Sequence, residues 1–394
     1  VFDSRLAEGS RVKILELGKF YPPERGGIET LLRLWAEGFA RQGATVECVV
    51  AHGPKSPGAR GRTLTETING VRVHRLPSFG EVFSTSVSPA YPYAAWRWRC
   101  DLVHAHFPNP LADLAVVLAP RKIPVVLSWH SDIVRQKAVM RVYLPLQRAL
   151  LRRADRIVVA TPYHLEFSPW LPEFRHKVEV IPFGLELERF RLSGSGMSKV
   201  AELRAQAQGR AILLNVGRLV GYKGQRFAIE ALREVAGAEL WLVGTGPLEA
   251  ELRAIAARVG VTDRVRFLGD VGDAELPIYF NACDIFVFPS ISPNEAFGLV
   301  QVEAMACGKP IVACNLRSGV PYVCSDGLNG LIVPPSDSPA LAAALNRLVS
   351  SPNLRRQMGE AGRNRSETEF SSPVMVQRYY SLFSDLCRSG ALMA

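Results

Sequence analysis

The sequence predicts an α/β protein made of two doubly wound domains, each a parallel sheet with helices on both faces. Three observations lead there. The chain's 394 residues exceed one ordinary core and suit two domains of about 200 residues each. β-rich apolar runs alternate with amphipathic stretches in two successive series. Each run closes in a turn rich in Gly, Pro or Asn, the punctuation of parallel units joined by helices.

The first series opens with a strand at Val12–Leu17, a loop through Gly26-Gly27 and a helix from Ile28 to Gln42. Strands follow at Val46–Ala51, Val71–Leu76, Leu102–Ala105, Val125–Ser128, Ile157–Thr161 and Val178–Ile181. The polar, Ser/Gly-bearing stretch Arg191–Gln208 reads as the linker region, so the first domain spans 1–190 and the second 191–371. A second series starts at Ala211–Val216 and continues through Glu239–Val243, Val265–Leu268, Ile285–Pro289, Pro310–Ala313 and Gly330–Val333. Apolar residues Val374, Val376, Tyr379, Tyr380 and Phe383 mark a last helix within 372–394, which either follows the second domain or returns to complete the first. Two such domains facing each other would hold a ligand crevice at the carboxyl ends of both sheets.

Composition narrows the class. With 48% hydrophobic and 21% charged residues, the chain is not disordered, collagenous or of low complexity. No apolar run approaches the roughly 18–20 residues that span a bilayer, and the opening residues contain no cationic segment followed by an apolar one. Seven scattered cysteines, none in Cys-x-x-Cys spacing, point to reduced thiols in a cytoplasmic protein and away from a structural zinc site. The net charge of +10 is concentrated in residues 1–190, where 26 Lys/Arg face 18 Asp/Glu. Those cations are dispersed and carry no nucleic-acid signature, so nucleic acid is not the expected partner. Phe79–Cys100 has two readings: a core-packing loop, or contact with the inner face of a membrane through Phe79, Phe83, Tyr91, Tyr93, Trp96 and Trp98 beside Arg97 and Arg99.

Three segments carry chemistry. Asn215–Gly224 follows the first strand of the second series, with Gly217 at the turn and Arg218 and Lys223 near a helix N-terminus, where a diphosphate would be welcome. Val243-Gly-Thr-Gly-Pro-Leu248 repeats the strand–glycine–helix arrangement one unit later, without the third glycine of a dinucleotide fingerprint. Ser290–Pro310 contains Glu295 and Glu303, eight residues apart. On one helix they would be about 12 Å apart along the axis and about 80° apart around it, against the roughly 5–9.5 Å of a glycosidase pair. The better division puts Glu295 in the loop before the helix and Glu303 within it. The amides of Phe297, Gly298 and Leu299 then face a phosphate or sugar, and both carboxylates suit vicinal hydroxyls.

Glu-x₇-Glu followed by Ala-Met-Ala-x-Gly-Lys-Pro resembles the signature of family 4 retaining glycosyltransferases with the GT-B fold, two facing Rossmann-like domains with the active site in the cleft between them. Gly217-Arg-Leu…Lys-Gly224, Gly244-x-Gly-Pro-Leu248 and Phe267-Leu-Gly269 match it in the same order, as do Pro22–Glu29, Asp101-Leu-Val-His-Ala-His106 and Trp129-His-Ser-Asp132. The resemblance implies that Arg218 and Lys223 hold the donor diphosphate, Glu303 the ribose hydroxyls, and Glu295 with the Phe297–Leu299 amides the donor sugar. It also implies that Gly217 and Gly246 line the donor, that Gly269 meets the base, that Gly26 and Gly27 approach the phosphate or acceptor, and that His130 serves the reacting sugar. It implies metal-independent, retaining transfer by front-face departure, with a nucleotide sugar as co-substrate and no cofactor. Pro182-Phe183-Gly184 departs from the Pro-Asn-Gly of many relatives.

The combination of His130–Lys137, Pro-Phe-Gly and Ser318–Tyr322 is most similar to bacterial mannosyl- and rhamnosyltransferases of polysaccharide assembly. It implies a hexose, mannose or a deoxyhexose, moved from a GDP-sugar to a saccharide or polyprenyl-diphosphate-linked acceptor. Asp132, Arg135 and Lys137 are the candidates to meet that acceptor, the alternative for Arg135 and Lys137 being ordinary helix-surface charges. A UDP-hexose is the alternative donor. An NAD(P)-dependent oxidoreductase and a non-catalytic nucleotide-sugar-binding protein are the rivals of other classes.

Overall fold

The computed structural model describes residues 12–24, 26–58, 61–82, 85–133 and 137–391. The chain forms two compact units: Val1–Gly184 with Ser372–Ala394, and Leu185–Ser371.

In the first unit the strands are β1 (Lys13–Leu17), β2 (Thr45–Ala51), β3 (Leu64–Ile68), β4 (Val71–Leu76), β5 (Glu81–Val82), β6 (Thr85–Ser86), β7 (Leu102–Phe107), β8 (Val125–Trp129), β9 (Arg156–Val159) and β10 (Val178–Val180). Eight form one sheet in the order β10-β9-β8-β7-β1-β2-β4-β3, and β5 pairs with β6 in a small hairpin. The sheet is parallel except for β3, which runs antiparallel to β4 at the edge. Its sequence, Leu-Thr-Glu-Thr-Ile, lacks the continuous apolar run of a buried strand, so the sequence pattern gives no strand here. The local signal is the two-residue turn Asn69-Gly70, both with positive φ, the geometry that closes a hairpin.

In the second unit β11 (Ala211–Val216), β12 (Ala238–Val243), β13 (Val265–Gly269), β14 (Ile285–Phe288), β15 (Ile311–Cys314) and β16 (Gly330–Val333) form an all-parallel sheet ordered β13-β12-β11-β14-β15-β16. Strand order reverses between β1 and β7 in the first sheet and between β11 and β14 in the second. Loops leaving the carboxyl ends of strands at such a reversal diverge and leave room for a ligand. The segments after β11 and β14 are the two that the sequence singles out for phosphate and sugar.

Two boundaries differ from the sequence pattern, and a third question it left open, the destination of the last helix, is answered. The division falls at Gly184/Leu185 instead of after Phe190, because Leu185, Leu187 and Phe190 are buried and the Phe190 ring packs 5.9 Å from Phe280. The expected linker is largely the helix Ser195–Gln206: Val200 is buried, and Arg204 donates to the Ala282 carbonyl (2.6 Å) and to Asp284 (3.1 Å). The last helix, Ser372–Ala391, belongs to the first unit and lies against the helix Gly27–Arg41. A Cβ on Gly38 would sit 2.4 Å from Val376, so the glycine is what lets the two helices touch there.

The aromatic segment is mostly packing. Tyr91 is buried and donates to the Gly18 and Val49 carbonyls, both at 2.8 Å. Trp96 donates to the Ala115 carbonyl (3.1 Å), and Trp98 stacks on His74. Phe79 (74%) and Tyr93 (71%) are exposed, and so are Arg97 and Arg99; Phe83 lies outside the described residues. Among those residues no helix is long and apolar enough to cross a membrane.

Candidate active site

Beyond β11 the backbone is knitted to its neighbours. Gly217 N–H donates to the Val243 carbonyl (2.9 Å), Leu219 N–H to Thr245 (3.0 Å) and Leu248 N–H to Leu219 (3.2 Å), so the loops after β11 and β12 run side by side. A Cβ on Gly244 or Gly246 would come within 2.2 Å of the Gly217 carbonyl or 2.4 Å of the Leu219 carbonyl. The Gly-x-Gly pair is therefore required by loop-on-loop contact, a reason independent of any ligand. Gly269 has a left-handed conformation at the end of β13, and its carbonyl accepts from Gly244 N–H at 2.7 Å.

The same loop also docks on the segment after β14. Gly224, at φ +68°, caps the helix Gln225–Leu232, and a Cβ there would be 2.0 Å from the Pro289 carbonyl. Ile291 N–H donates to Tyr222 at 2.9 Å. This docking brings Lys223 Nζ within 2.5 Å of Glu295 Oε2, which also accepts from Ser290 Oγ at 3.2 Å. The cation expected on the diphosphate and the carboxylate expected on the sugar thus meet as an ion pair, with side-chain exposures of 14% and 12%. Arg218, by contrast, is exposed and forms no ion pair with the described residues, leaving its guanidinium open to a phosphate.

Glu295 lies in the loop and Glu303 in the helix Leu299–Ala306, the division predicted from spacing. Gly298 caps this helix with φ +75°; a Cβ would be 2.7 Å from the Phe288 ring, and no side chain caps the first turn. Phe297 turns its ring inward onto Phe370 (5.9 Å), so at this position the main chain is what remains for a ligand. Leu299, the first helical residue, is half-buried. Glu303 is buried; its Oε1 accepts from Arg189 Nη2 at 2.7 Å, and its Oε2 is buried without a partner among the described residues. Burial pushes its pKa up to about 7, against the downward pull of the Arg189 guanidinium. Arg189 is missed by the sequence pattern, since nothing in its local motif distinguishes it from an ordinary surface cation.

In the first unit Gly26 is extended and precedes the helix that begins at Gly27; its carbonyl accepts from Thr30 N–H at 2.9 Å. His130 directly follows β8, donates its backbone N–H to the Phe107 carbonyl (3.0 Å), and is buried. Phe183, the residue that departs from the family pattern, stacks on it with ring centroids 5.3 Å apart. Behind His130 runs a polar seam that the sequence pattern does not single out. His130 Nε2 meets His106 Nδ1 (3.2 Å), His106 Nε2 meets Glu16 Oε2 (3.1 Å), and Glu16 Oε1 meets His104 Nδ1 (2.9 Å). His104 Nε2 then meets Ser128 Oγ, and Ser128 Oγ the Tyr379 hydroxyl, both at 2.7 Å. Burial lowers the pKa of all three histidines to about 3 and raises that of Glu16. The signal available in the sequence is the i, i+2 spacing of His104-x-His106 and Ser128-x-His130, which sets each pair on one face of the sheet. Asp132 is half-buried and accepts from Ser168 Oγ at 2.9 Å. Arg135 and the side chain of Lys137 lie outside the described residues.

Comparison with known proteins agrees with this architecture. Residues 26–184 match the family described as "Glycosyl transferase 4-like domain" and residues 201–365 the family "Glycosyl transferases group 1". The chain is 31% identical to the O-antigen chain mannosyltransferase C of Escherichia coli over 96% of its own length and 100% of that protein. It is 31% identical to the D-rhamnosyltransferase WbpZ of Pseudomonas aeruginosa, over 92% of this chain and 93% of that one. A GDP-mannose-dependent α-(1-6)-phosphatidylinositol monomannoside mannosyltransferase of Mycolicibacterium smegmatis is 29% identical, over 87% and 91%. Among solved structures, the Anabaena HepE protein in complex with UDP superposes with a TM-score of 0.76 at 20% identity, covering 95% of this chain and all of that one. With its two parallel-sheet Rossmann-like domains, the chain belongs to the family 4 glycosyltransferases of the GT-B fold.

Proposed function

We propose that this glycosyltransferase moves mannose or a related deoxyhexose from a GDP-sugar to a saccharide or polyprenyl-diphosphate-linked acceptor, with retention and without a metal, in bacterial surface-polysaccharide assembly. The observation that carries the reading is Glu303. A carboxylate with one oxygen held by Arg189 and the other buried and unpartnered is costly unless a ligand hydroxyl donates to it. The names of the relatives, a mannosyltransferase, a rhamnosyltransferase and a GDP-mannose-dependent enzyme, support the choice of sugar and base.

In this reading Arg218 and the uncapped first turn at Gly298 stabilise the leaving diphosphate, as preorganised donors do. Lys223 shares its charge between that diphosphate and Glu295, and Glu295 orients a sugar hydroxyl. The bond from the anomeric carbon to the phosphate oxygen breaks as the acceptor oxygen bonds on the same face, and the acceptor proton passes to the leaving phosphate oxygen. His130 serves the reacting sugar, and Asp132, Arg135 and Lys137 meet the acceptor.

A panel of GDP-, UDP- and ADP-sugars, read by thermal shift and nucleotide release, tests the donor. The expected outcome is stabilisation and turnover with GDP-mannose or a GDP-deoxyhexose, undiminished by EDTA and giving by NMR a product with the donor's own anomeric configuration. Preference for a UDP-hexose overturns the base assignment, and a product of the opposite anomeric configuration to the donor overturns retention. The membrane-facing reading now narrows to Phe79 and Tyr93 with Arg97 and Arg99. Phe79→Ala/Tyr93→Ala should halve co-sedimentation with anionic vesicles, and equal binding removes the segment from the argument.

A further inference from the structure

The seam behind His130 is unusual for the space between a sheet and its covering helices. Glu16 on β1, His104 and His106 on β7 and Ser128 on β8 all face the same layer, with Trp35 and Phe39 from one helix and Tyr379 and Phe383 from another closing over them. Glu16 and His104 are 0% exposed and His106 2%. A polar chain in an apolar layer is tolerated only when each member is satisfied, and satisfaction here constrains the direction of every bond.

An ionised carboxylate only accepts, so both ring nitrogens that face Glu16 must carry hydrogen. His104 is then protonated on Nδ1, and its bare Nε2 accepts from Ser128, which in turn accepts from Tyr379. His106 is protonated on Nε2, and its bare Nδ1 must accept from His130 Nε2–H. Each neutral imidazole carries one such hydrogen, so His130 keeps Nδ1 bare. We propose that Glu16 is a positioning residue which, through His106, fixes His130 in the Nε2–H tautomer, so that His130 accepts a hydrogen bond from a donor-sugar hydroxyl through Nδ1. The role rests on the reading that His130 serves the reacting sugar; the tautomer does not.

The first test needs neither substrate nor variant. Long-range ¹H–¹⁵N spectra of histidine-labelled protein at pH 7.5 should find His104 protonated on Nδ1 and both His106 and His130 on Nε2. Protonation of His130 on Nδ1, which a neutral Glu16 donating to His106 would impose, overturns the proposal. So does one equivalent of metal retained through gel filtration: Glu16, His104 and His106 bring a carboxylate oxygen and two ring nitrogens within 4.8 Å of one another, and a cation held there would displace those protons.

The second test is a cycle of Glu16→Gln and His130→Ala, assayed with whichever nucleotide sugar of the panel the parent turns over. A glutamine must donate to one of the two rings; with its amide toward His106 it reverses that branch and turns His130 to the Nδ1–H tautomer, an orientation read from the same ¹H–¹⁵N spectra of the variant before the kinetic cycle is applied. Glu16→Gln should lower kcat about tenfold with little change in donor KM, and should have less than about a twofold effect when His130 is already alanine. An unchanged kcat in His130→Ala would refute the sugar-facing role of His130 itself. A loss in His130→Ala with none in Glu16→Gln would refute the role of Glu16 alone. An equal loss on both backgrounds would mean that Glu16 acts by another route and would equally overturn the proposal.

Discussion

Lys223 and Glu295 sit 2.5 Å apart with little solvent around either, so neither can be removed without leaving the other uncompensated. Lys223→Ala and Glu295→Ala should each lower turnover at least tenfold, by analogy with the loss of a preorganised charge at a leaving group, while circular dichroism stays that of the parent. The double variant should melt above the value obtained by adding the two single losses, because it leaves no orphaned charge; strict additivity would mean the pair is not coupled. Glu303 makes a separate statement about pH. With its pKa pushed up to about 7, it loses its carboxylate as pH falls through that value, and with it the acceptor for ligand hydroxyls. Donor KM should therefore rise up to about tenfold between pH 8 and 6, one pKa unit on either side of the midpoint, and Glu303→Gln should flatten the profile. A parent profile already flat in that range would remove Glu303 from donor binding.

At the scale of elements, the closing helix Ser372–Ala391 contributes more than its position in the chain suggests. Tyr379 and Phe383 are 0% and 1% exposed, and the Phe383 ring lies 5.0 Å from that of Phe39. Phe383→Ala should cost about 3–5 kcal/mol, the usual range for an aromatic truncated in a core, measured by urea unfolding; a loss below about 1 kcal/mol would mean the helix is not integral to the unit. Sequence periodicity marks this helix clearly and leaves its destination open, because periodicity reports which face is apolar and not which partner covers it. The buried parallel strands are equally legible, since both faces need apolar residues. The edge strand Leu64–Ile68 is not, because one flank meets solvent and its composition is that of a loop. At the site, Lys223, Glu295 and Glu303 stand out through their motifs, whereas Arg189 and Glu16 do not. Each of these acquires its role from a residue more than 80 positions away, Arg189 at Glu303 and Glu16 at His104 and His106, and no local pattern encodes such a meeting.

The whole molecule is chemically lopsided in a way that acid should expose. All seven histidines lie between His52 and His176, in the first unit, and the second unit has none. Burial lowers His104, His106 and His130 to about 3 and His164 to about 4, and lowers His74 as well. A histidine whose folded pKa is depressed stays neutral in the native state while the unfolded chain takes up a proton below about 6.5, so stability falls as pH drops from there toward the folded values. Glu16, Asp113 and Asp132 act in the opposite sense, since burial raises each of them and protonation then favours the fold. In the second unit Glu303 does the same, without any histidine to set against it. Between pH 7 and 5 the unfolded chain gains nearly one proton at each of the four histidines held at about 3 to 4, against the one that Asp113, raised to about 8, keeps in the fold, so the expected net slope of the first unit is toward instability in acid. Tryptophan fluorescence is the suitable probe, because five of the six tryptophans lie in the first unit and only Trp241 in the second. The fluorescence-detected melting temperature should fall by about 5 °C or more between pH 7 and pH 5, the shift that a loss of a few kcal/mol produces in a domain of this size. A midpoint that holds steady or rises over that interval would overturn this net slope, and would mean either that the raised carboxyls match the histidines or that the buried rings accept protons in the native state.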